Sequence, residues 1–471
     1  MKVKNLTPFA FGPKVTSRRP PQRELVLAIR GAFELRPGEP LKVIDKPGRA
    51  TRMSGETFRE DDDERRGEAL YPGDFADFKL RAEVMLRGTC HAPGARPVKE
   101  CPVRFSVGGL SKLLRVVGPR VYSDGLLQGA TEPKPFTSMS LDWSNAFGGP
   151  GFDDNPVGKG FGALLELPNV EAPGHPVSAR GERHEPAGFG PVASTWPRRA
   201  QKVGKAYGAA WKKTNAPFYA EDFDWSYFSS APDDQQLDGY LRGDEEVTFQ
   251  NLHPTAPAFG VKLPALRVRA FVKDTRGDFR ELAVALDTLF AEPDAERLYL
   301  TWRGHTPVRE EDLADVAIAL IAAEPLADAA LPESHYRALL DAFEKDPLGK
   351  EALIRERFPE PLQERALAAL RGDPFVPPPP PPGTPPARAV SDVLTGTGAV
   401  DPSHASAISG AIEQAIARAA PHGDLGAAMG RGLSAPATGG AALGPGGPPK
   451  VALGGAIEAL KGKLGALKRA T

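Results

Sequence analysis

The chain has few cysteines, no excess charge of either sign and no long hydrophobic run. Its 471 residues include only two cysteines, Cys90 and Cys101, which excludes a disulfide framework and a four-thiolate zinc site. Lys and Arg number 59 against 60 Asp and Glu, so the chain as a whole has no field that would attract nucleic acid or an anionic membrane. No stretch reaches the ~18 apolar residues of a membrane span, and the first residues lack a signal peptide's apolar run. These absences predict a soluble, cytoplasmic protein.

Glycine and proline are abundant instead. The chain contains 50 glycines and 49 prolines, and over the first three hundred residues they are spread throughout the sequence. Neither residue favours a helix interior, so this part of the chain is expected to consist of strands joined by many structured loops.

Apolar runs with β-branched residues recur between these loops. The run at 25–35 ends at Pro37-Gly38-Glu39, which predicts a first hairpin. Further strands are predicted at 78–86, 98–107, 113–117, 247–249, 266–272 and 298–302. Because no helical crossovers separate these runs, the fold class is mainly β, an antiparallel sheet or sandwich-like domain over 1–305.

The composition changes after residue 305. Apolar residues at helical spacing predict helices at 310–324 and 334–343, within a helical region at 306–371 that packs on the β domain. A disordered Pro/Gly/Ala-rich linker and tail is predicted over 372–471, opening with the semi-rigid proline run at 375–386. Two stretches of this tail, 407–420 and 456–470, have an apolar helical face. Each stretch is either a helix that docks on another protein or a weakly helical part of the tail. For the basic second stretch, an anionic surface is a further alternative as the docking partner.

The segment 145–162, with the sequence NAFGGPGFDDNPVGKGFG, has the glycines and lysine of a phosphate-binding loop. A P-loop requires a leading glycine and a hydroxyl after Gly-Lys, whereas this chain has Asp153 and Gly160 at those positions. The run 158–163 matches a dinucleotide fingerprint by letter, but prolines flank it and no strand-to-helix unit is near. A rigid loop is therefore favoured over a nucleotide site, and no cofactor is predicted.

Metal and nucleophile patterns are also weak. Cys90 and Cys101 lack zinc spacing and are expected to be buried apolar groups on neighbouring strands. His175 and His184, with nearby Glu182 and Glu185, are more typical of a solvated loop than of a metal site. The charged run 59–66 is likewise more typical of a solvated loop than of a calcium site. The sequence has no Gly-x-Ser-x-Gly elbow. No metal ligand and no catalytic residue is predicted.

The carboxylates of Asp222, Asp224 and Asp234 leave one enzymatic alternative open. Two of them could form an acid and base pair in a hydrolase or carbohydrate-active enzyme. The alternation Asp-Phe-Asp-Trp at 222–225 equally describes inward aromatic rings with carboxylates that cap turns, and this interpretation is favoured.

Several blocks of the sequence together resemble a known family. They are Leu6-Thr-Pro-Phe9, the stretch Tyr71 to Lys79, Gly88 to Pro93, Val107 to Lys112, Val117 to Arg120, Asn145 to Gly149, Asn155 to Phe161, Leu167 to Asn169, Pro186 to Pro191, Trp196 to Arg199, Asp222 to Asp224, Ala231 to Gln235, Leu286 to Leu289, and Trp302-Arg303. In this order, over about 1–304, they resemble a domain family whose members are effector adaptors, or chaperones, of the bacterial type VI secretion system.

The resemblance implies a non-enzymatic interaction protein. Family members bind a toxic effector before secretion and help to load it on the valine-glycine-repeat spike. The expected partners are therefore a secreted effector and the spike or its tip protein. A third possibility is that the domain is part of the secretion needle itself.

A binder needs a surface with buried aromatic anchors. We expect 145–161 and 222–235 to border one groove for an effector segment. The residues predicted to contact the partner are Phe147, Asn155, Lys159, Phe161, Trp196, Asp222, Asp224, Trp225, Phe228 and Gln235.

Overall fold

The computed structural model describes residues 1–18, 21–45, 48, 52–59, 67–123, 129–309 and 316–345, with side chains up to 341. All of these residues belong to one unit, Met1–Pro378. The predicted linker and tail at 372–471, including the potential helices at 407–420 and 456–470, lie outside the described residues.

The described chain is mainly β, as the sequence predicts. Its strands are β1 (Lys2–Asn5), β2 (Ala10–Thr16), β3 (Arg23–Glu34), β4 (Lys42–Val43), β5 (Thr57–Phe58), β6 (Ala69–Tyr71), β7 (Glu83–Leu86), β8 (Thr89–His91), β9 (Glu100–Val107), β10 (Leu110–Val117), β11 (Tyr122–Ser123), β12 (Gly129–Ala130), β13 (Ser138–Ser140), β14 (Phe147–Gly148), β15 (Lys159–Gly160), β16 (Val170–Glu171), β17 (Glu246–Gln250), β18 (Ala258–Lys262), β19 (Leu266–Asp274), β20 (Phe279–Glu281), β21 (Ala283–Glu292), β22 (Arg297–Val308) and β23 (Val316–Pro325). The α-helices are α1 (Pro197–Ala200), α2 (Ala209–Asn215) and α3 (Glu333–Lys345). Single 3-10 turns occur at Pro93–Ala95, Trp143–Asn145, Gln201–Val203, Trp225–Phe228, Asp233–Gln235 and Pro293–Ala295.

The largest sheet has six strands, in the order β2-β3-β22-β21-β7 with β4 beside β3. β3 and β22 pair over their whole length, from Glu34 opposite Arg297 to Arg23 opposite Val308. The first hairpin is confirmed, because β3 turns at 35–41 and pairs with β4, and Gly38 in this turn has a φ of 79° that suits glycine.

The second sheet has five strands, in the order β16-β10-β9-β17-β18, and all four of its pairings are antiparallel. β9 shows the alternation of a strand with one buried face, since Cys101, Val103, Phe105 and Val107 are buried between exposed or half-exposed neighbours. These residues join the apolar face of the six-stranded sheet in one continuous core.

The third sheet, in the order β1-β23-β19-β20, is covered on its outer face by α3. Along β23, Ala319 and Ile321 belong to the main core, whereas Ile318 and Leu320 pack in a second cluster with Tyr336 of α3. Both faces of β23 are therefore buried. The helix predicted at 334–343 is confirmed, because it lies within α3.

The helix predicted at 310–324 is wrong for its described part, because 316–324 belongs to β23. The other predicted strands are confirmed in part or in full, although the strand expected at 78–86 begins only at Glu83. Antiparallel pairing dominates, but β1 with β23, β7 with β21, and β14 with β15 are parallel pairs.

Candidate partner-binding surface

The segment 145–162 is folded around the side chain of Asn155. This side chain is fully buried, and its Nδ2 donates to the carbonyl oxygens of Trp143 and Phe147 at 2.8 and 3.0 Å. The Asn155 carbonyl accepts from the amides of Gly149 and Gly158. β14 precedes Asn155 in the sequence and β15 follows it, and these two strands pair with each other. The glycine-rich segment is thus a closed loop with its hydrogen-bonding groups turned inward.

Only part of this loop reaches the surface. Phe147 is buried and packs against Phe152 with ring centroids 5.3 Å apart, while Phe161 is half-buried at 4.9 Å from Phe152. Lys159 is also half-buried, and its Nζ lies 3.3 Å from an oxygen of Glu166. Lys159 and Phe161 therefore remain available to a partner, whereas Phe147 and Asn155 shape the loop from inside.

Trp196 and Gln235 lie in the interior. The Trp196 indole donates to the Gly67 carbonyl at 3.0 Å. The Gln235 amide donates to the carbonyls of Val84 and Phe189 and accepts from Lys112 Nζ at 2.8 Å. Both side chains are completely buried, so in this structure neither can contact a partner directly. Their hydrogen bonds instead hold in place the segments on which exposed residues lie.

The buried carboxyl group of Glu68, which accepts from the Trp143 amide, has a perturbed pKa. Burial, reinforced by the nearby Asp142 carboxylate, raises the pKa of Glu68 from its ordinary value of 4.5 to about 7, against the opposing effect of Arg59. Between about pH 4.5 and pH 7, Glu68 is therefore protonated in the folded protein but ionised in the unfolded chain. Its contribution to stability is greatest below about pH 4.5 and is lost as the pH rises through about 7.

We expect Glu68→Gln to remove this pH dependence. The stability of the variant relative to the original chain should improve by on the order of 2 kcal/mol between pH 5 and pH 8, because a neutral amide needs no proton there. Urea unfolding of both proteins across this range measures the difference. A difference that stays constant with pH would contradict the assignment.

A dense group of rings lies at the surface around the second predicted segment. We refer to this group as the aromatic patch; its members are Phe78, Tyr207, Tyr219, Phe223, Trp225, Tyr227 and Phe228. Phe223 is buried beneath the others, which are half-buried. Ring centroids lie 4.3 Å apart for Tyr219 and Phe223, 5.1 Å for Phe223 and Trp225, and 6.3 Å for the stacked pair Trp225 and Phe228.

Local structure explains why Trp225 and Phe228 stack. The Asp224 carboxylate accepts from the Ser226 amide at 2.9 Å and so caps the 3-10 turn Trp225–Phe228. In a 3-10 helix, side chains three residues apart lie above one another, which places both rings on one side. Asp222 has a comparable role, because it accepts from the amides of Lys205 and Ala206 at 2.7 and 2.9 Å. These amides, that of Ala206 foremost, lower the pKa of Asp222.

Cationic side chains lie over several of these rings. The Arg18 guanidinium is 4.1 Å from the Phe78 centroid, and Lys212 Nζ is 4.6 Å from that of Tyr207. Arg199 lies 5.5 Å from Tyr227. These contacts hold the rings in place. Arg18 also pairs with Glu24 and Arg199 with Glu56, and the exposed Asp222 and Asp224 adjoin the rings, so charges of both signs surround the patch.

Two buried carboxylates fix the aromatic patch to the β framework. Asp77 accepts from Lys14, from the Thr16 hydroxyl at 2.8 Å and from the Tyr219 hydroxyl at 2.7 Å. Glu83, at the start of β7, accepts from the amides of Ser230 and Ala231 at 2.7 and 2.9 Å, directly after the patch. Its rings are therefore presented by a rigid support.

The two segments predicted to border one groove are connected through Arg198 of α1. Its guanidinium lies 2.9 Å from Asp154 in the first segment and 3.8 Å from Asp233 in the second. The remaining carboxylate of the hydrolase alternative, Asp234, bonds Lys112 Nζ at 2.8 Å. Asp222, Asp224 and Asp234 thus each have a local partner.

Several members of the aromatic patch, including Phe78 and Tyr219, are not among the residues that the sequence predicts to contact a partner. The sequence feature that could have identified them is the alternation of aromatic and acidic residues in Tyr71 to Lys79. In the structure Asp77 lies beside Tyr219, and Phe78 lies beside Trp225. Within the described ranges, no three His, Cys, Asp or Glu side chains come together as metal ligands. Across that same part of the chain, no helix has the length and apolar character to cross a membrane.

Comparison with known proteins gives one match. No curated protein and no solved structure matches the chain. A family model described as "Uncharacterized protein conserved in bacteria" matches residues 21–303, more than half of the chain, and spans both the glycine-rich loop and the aromatic patch. The chain therefore belongs to this bacterial family, DUF2169.

Proposed function

We propose that the protein is a non-enzymatic adaptor that binds a secreted effector protein and helps to load it on the spike of a type VI secretion system. The sequence blocks that resemble effector adaptors support this function. The observation that carries it structurally is the aromatic patch, in which half-buried rings are held over a buried support.

Such a surface has the features of a protein-binding hot spot. Aromatic and Arg side chains contribute most of the affinity at protein interfaces, especially where they are already ordered before binding. Trp225 and Phe228 are the best anchors, because they stack on each other and remain half-exposed.

We expect the double variant Trp225→Ala/Phe228→Ala to bind at least about tenfold less effector, since each hot-spot ring contributes about 2 kcal/mol. Affinity-tagged full-length protein is purified from cells that contain its own secretion genes, and the co-purified effector and spike proteins are quantified by mass spectrometry. Circular dichroism verifies that the variant is folded.

Phe259→Ala is the matched control. Phe259 is a half-buried ring that stacks on Phe249 at 4.7 Å, but it lies on β18 at the edge of the five-stranded sheet. It should lose stability without losing the effector. A second variant, Lys212→Glu, keeps all rings of the patch but removes the cation that lies 4.6 Å from the Tyr207 centroid, and should weaken effector capture less than loss of the two rings. Undiminished effector capture by both folded patch variants would contradict the proposed surface, and absence of any effector or spike protein would contradict the proposed function.

A further inference from the structure

The five-stranded sheet ends at β18, a strand that has a neighbouring strand on one side only. β18 pairs with β17 and is the last strand in the order β16-β10-β9-β17-β18. Three of its five residues, Ala258, Gly260 and Lys262, are exposed to solvent. β18 is therefore an open edge of the sheet.

The pairing with β17 determines which backbone groups of β18 face away from the sheet. Just beyond the strand, the Leu263 amide donates to the Glu245 carbonyl, in the same register as the strands themselves. Because hydrogen-bonded pairs alternate along an antiparallel ladder, Ala258, Gly260 and Lys262 direct their N–H and C=O groups away from β17. Within the ranges that the structure describes, these outward groups have no hydrogen-bond partner.

The inner face of this edge presents an aromatic ring that a further strand would cover. Phe105 of β9 stacks on Phe249 of β17 with ring centroids 5.5 Å apart, and Phe249 stacks on Phe259 of β18 at 4.7 Å. Phe259 is half-buried, whereas its neighbour Val261 is buried. The row of rings stops at the open edge, and its last ring is partly exposed.

β18 has few of the features by which proteins protect an open edge from further pairing. Its sequence, AFGVK, contains no proline and no acidic residue, and its pairing with β17 has no bulge. Its one charged residue, Lys262, stands at the end of the strand. The whole strand can therefore accept another strand.

A second copy of β18 fits this edge in one antiparallel register. The outward-facing residues of the two copies must oppose each other, so a two-fold axis at Gly260 places Ala258 opposite Lys262 of the second copy. On the inner face, Phe259 then lies beside Val261 of the second copy, which covers the exposed part of each ring. No like charges oppose each other in this register, and the glycine leaves no side chain at the axis.

We propose that two copies of this chain associate through β18 and so join their five-stranded sheets into one continuous antiparallel sheet. Backbone hydrogen bonds and the two Phe259–Val261 contacts form the interface. An interface of this small size gives a weak dimer, with a Kd on the order of 10 to 100 µM. It uses no ring of the aromatic patch and does not depend on the adaptor function.

Sedimentation velocity with the full-length protein, over concentrations that bracket this Kd, tests the association. Ala258→Pro removes an outward N–H and leaves the bonds to β17 intact, because proline is tolerated where the N–H of an edge strand faces solvent. Self-association of this variant should weaken about tenfold or more. Ala258→Val is the matched control, since it keeps the N–H, and it should associate like the original chain. Circular dichroism and melting temperatures verify that both variants are folded.

Introduced thiols test the register. Ala258→Cys and Lys262→Cys each change an exposed side chain, and the proposed pairing places these positions opposite each other with Cα atoms about 5.5 Å apart. A disulfide can bridge this distance. After mild oxidation with copper phenanthroline, a mixture of the two single variants should form a disulfide-linked dimer that contains one of each, and either variant alone should form much less. The native Cys90 and Cys101 are buried and do not interfere.

Three results would each overturn the proposal. They are a chain that remains monomeric over the whole concentration range, unchanged association of folded Ala258→Pro, and a mixture of thiol variants that cross-links no better than the single variants. If the chain is monomeric and effector capture falls in Ala258→Pro but not in Ala258→Val, the edge instead binds a strand of the effector.

Discussion

Replacing Gly158 with alanine is expected to lower the free energy of unfolding by about 3 kcal/mol, the upper range for inserting a methyl group into a packed site. A Cβ at this position would lie 2.6 Å from the Ala146 carbonyl oxygen and 2.7 Å from Gly148 Cα. Both are backbone atoms held by the pairing of β14 with β15, so neither can move aside cheaply. Urea unfolding followed by circular dichroism measures the loss.

Gly162→Ala is the control within the same loop. Gly162 has a φ of +70°, but no atom lies within 4 Å of its added Cβ. This variant therefore tests backbone strain alone and should cost about 1 kcal/mol. If Gly158→Ala were no more destabilising than Gly162→Ala, close packing around Asn155 would not be the reason for the glycine.

Most of the β framework could be predicted because its strands have one buried face and are bounded by turn residues. β9 and β10 are examples, since buried and exposed residues alternate in both and the turn between them contains Gly108 and Gly109. What alternation could not provide is the pairing of distant strands. β1 pairs with β23 and β7 with β21 although the partner strands lie far apart in the sequence, and nothing local encodes these parallel contacts.

β23 was predicted as a helix for a physical reason. Its sequence is buried on both faces, by the main core on one side and by α3 on the other, so no polar residue marks alternate positions. A continuous apolar run rich in alanine fits a buried strand and a buried helix equally well. Only the presence of α3 on the outer face decides between them.

The sequence could not indicate which of the predicted contact residues are exposed. Trp225 and Phe228 are half-exposed, but Trp196 and Gln235 are buried. A loop rich in Gly and Pro can build a small core of its own, and the sequence does not tell which aromatic residues fill it.

A chain of buried polar contacts runs from the backbone after the aromatic patch to Arg303 of β22. Glu83, which holds the backbone after the patch, pairs with Lys79, and Lys79 Nζ donates to the Thr288 hydroxyl at 2.8 Å. Thr288 donates to Asp287, the partner of Arg303. One buried ion pair lies at each end of this network, Lys79 with Glu83 and Arg303 with Asp287.

Glu83→Gln is accordingly expected to lower the free energy of unfolding by about 3 to 5 kcal/mol, because it leaves the Lys79 ammonium buried without its counter-charge. Both side chains are almost completely inaccessible to solvent, so water cannot compensate. Chemical denaturation measures the loss, and effector capture should fall together with it, because the backbone at Ser230 and Ala231 loses its anionic acceptor.

The double variant Lys79→Met/Glu83→Gln separates the charge effect from packing. Removing both charges takes away the desolvation cost along with the attraction, so the double variant should be more stable than Glu83→Gln alone. Its amide still offers an oxygen to Ser230, and effector capture should recover with the stability. If the double variant lost as much stability as Glu83→Gln and Lys79→Met lose together when measured singly, Lys79 and Glu83 would act independently and would not be a coupled pair.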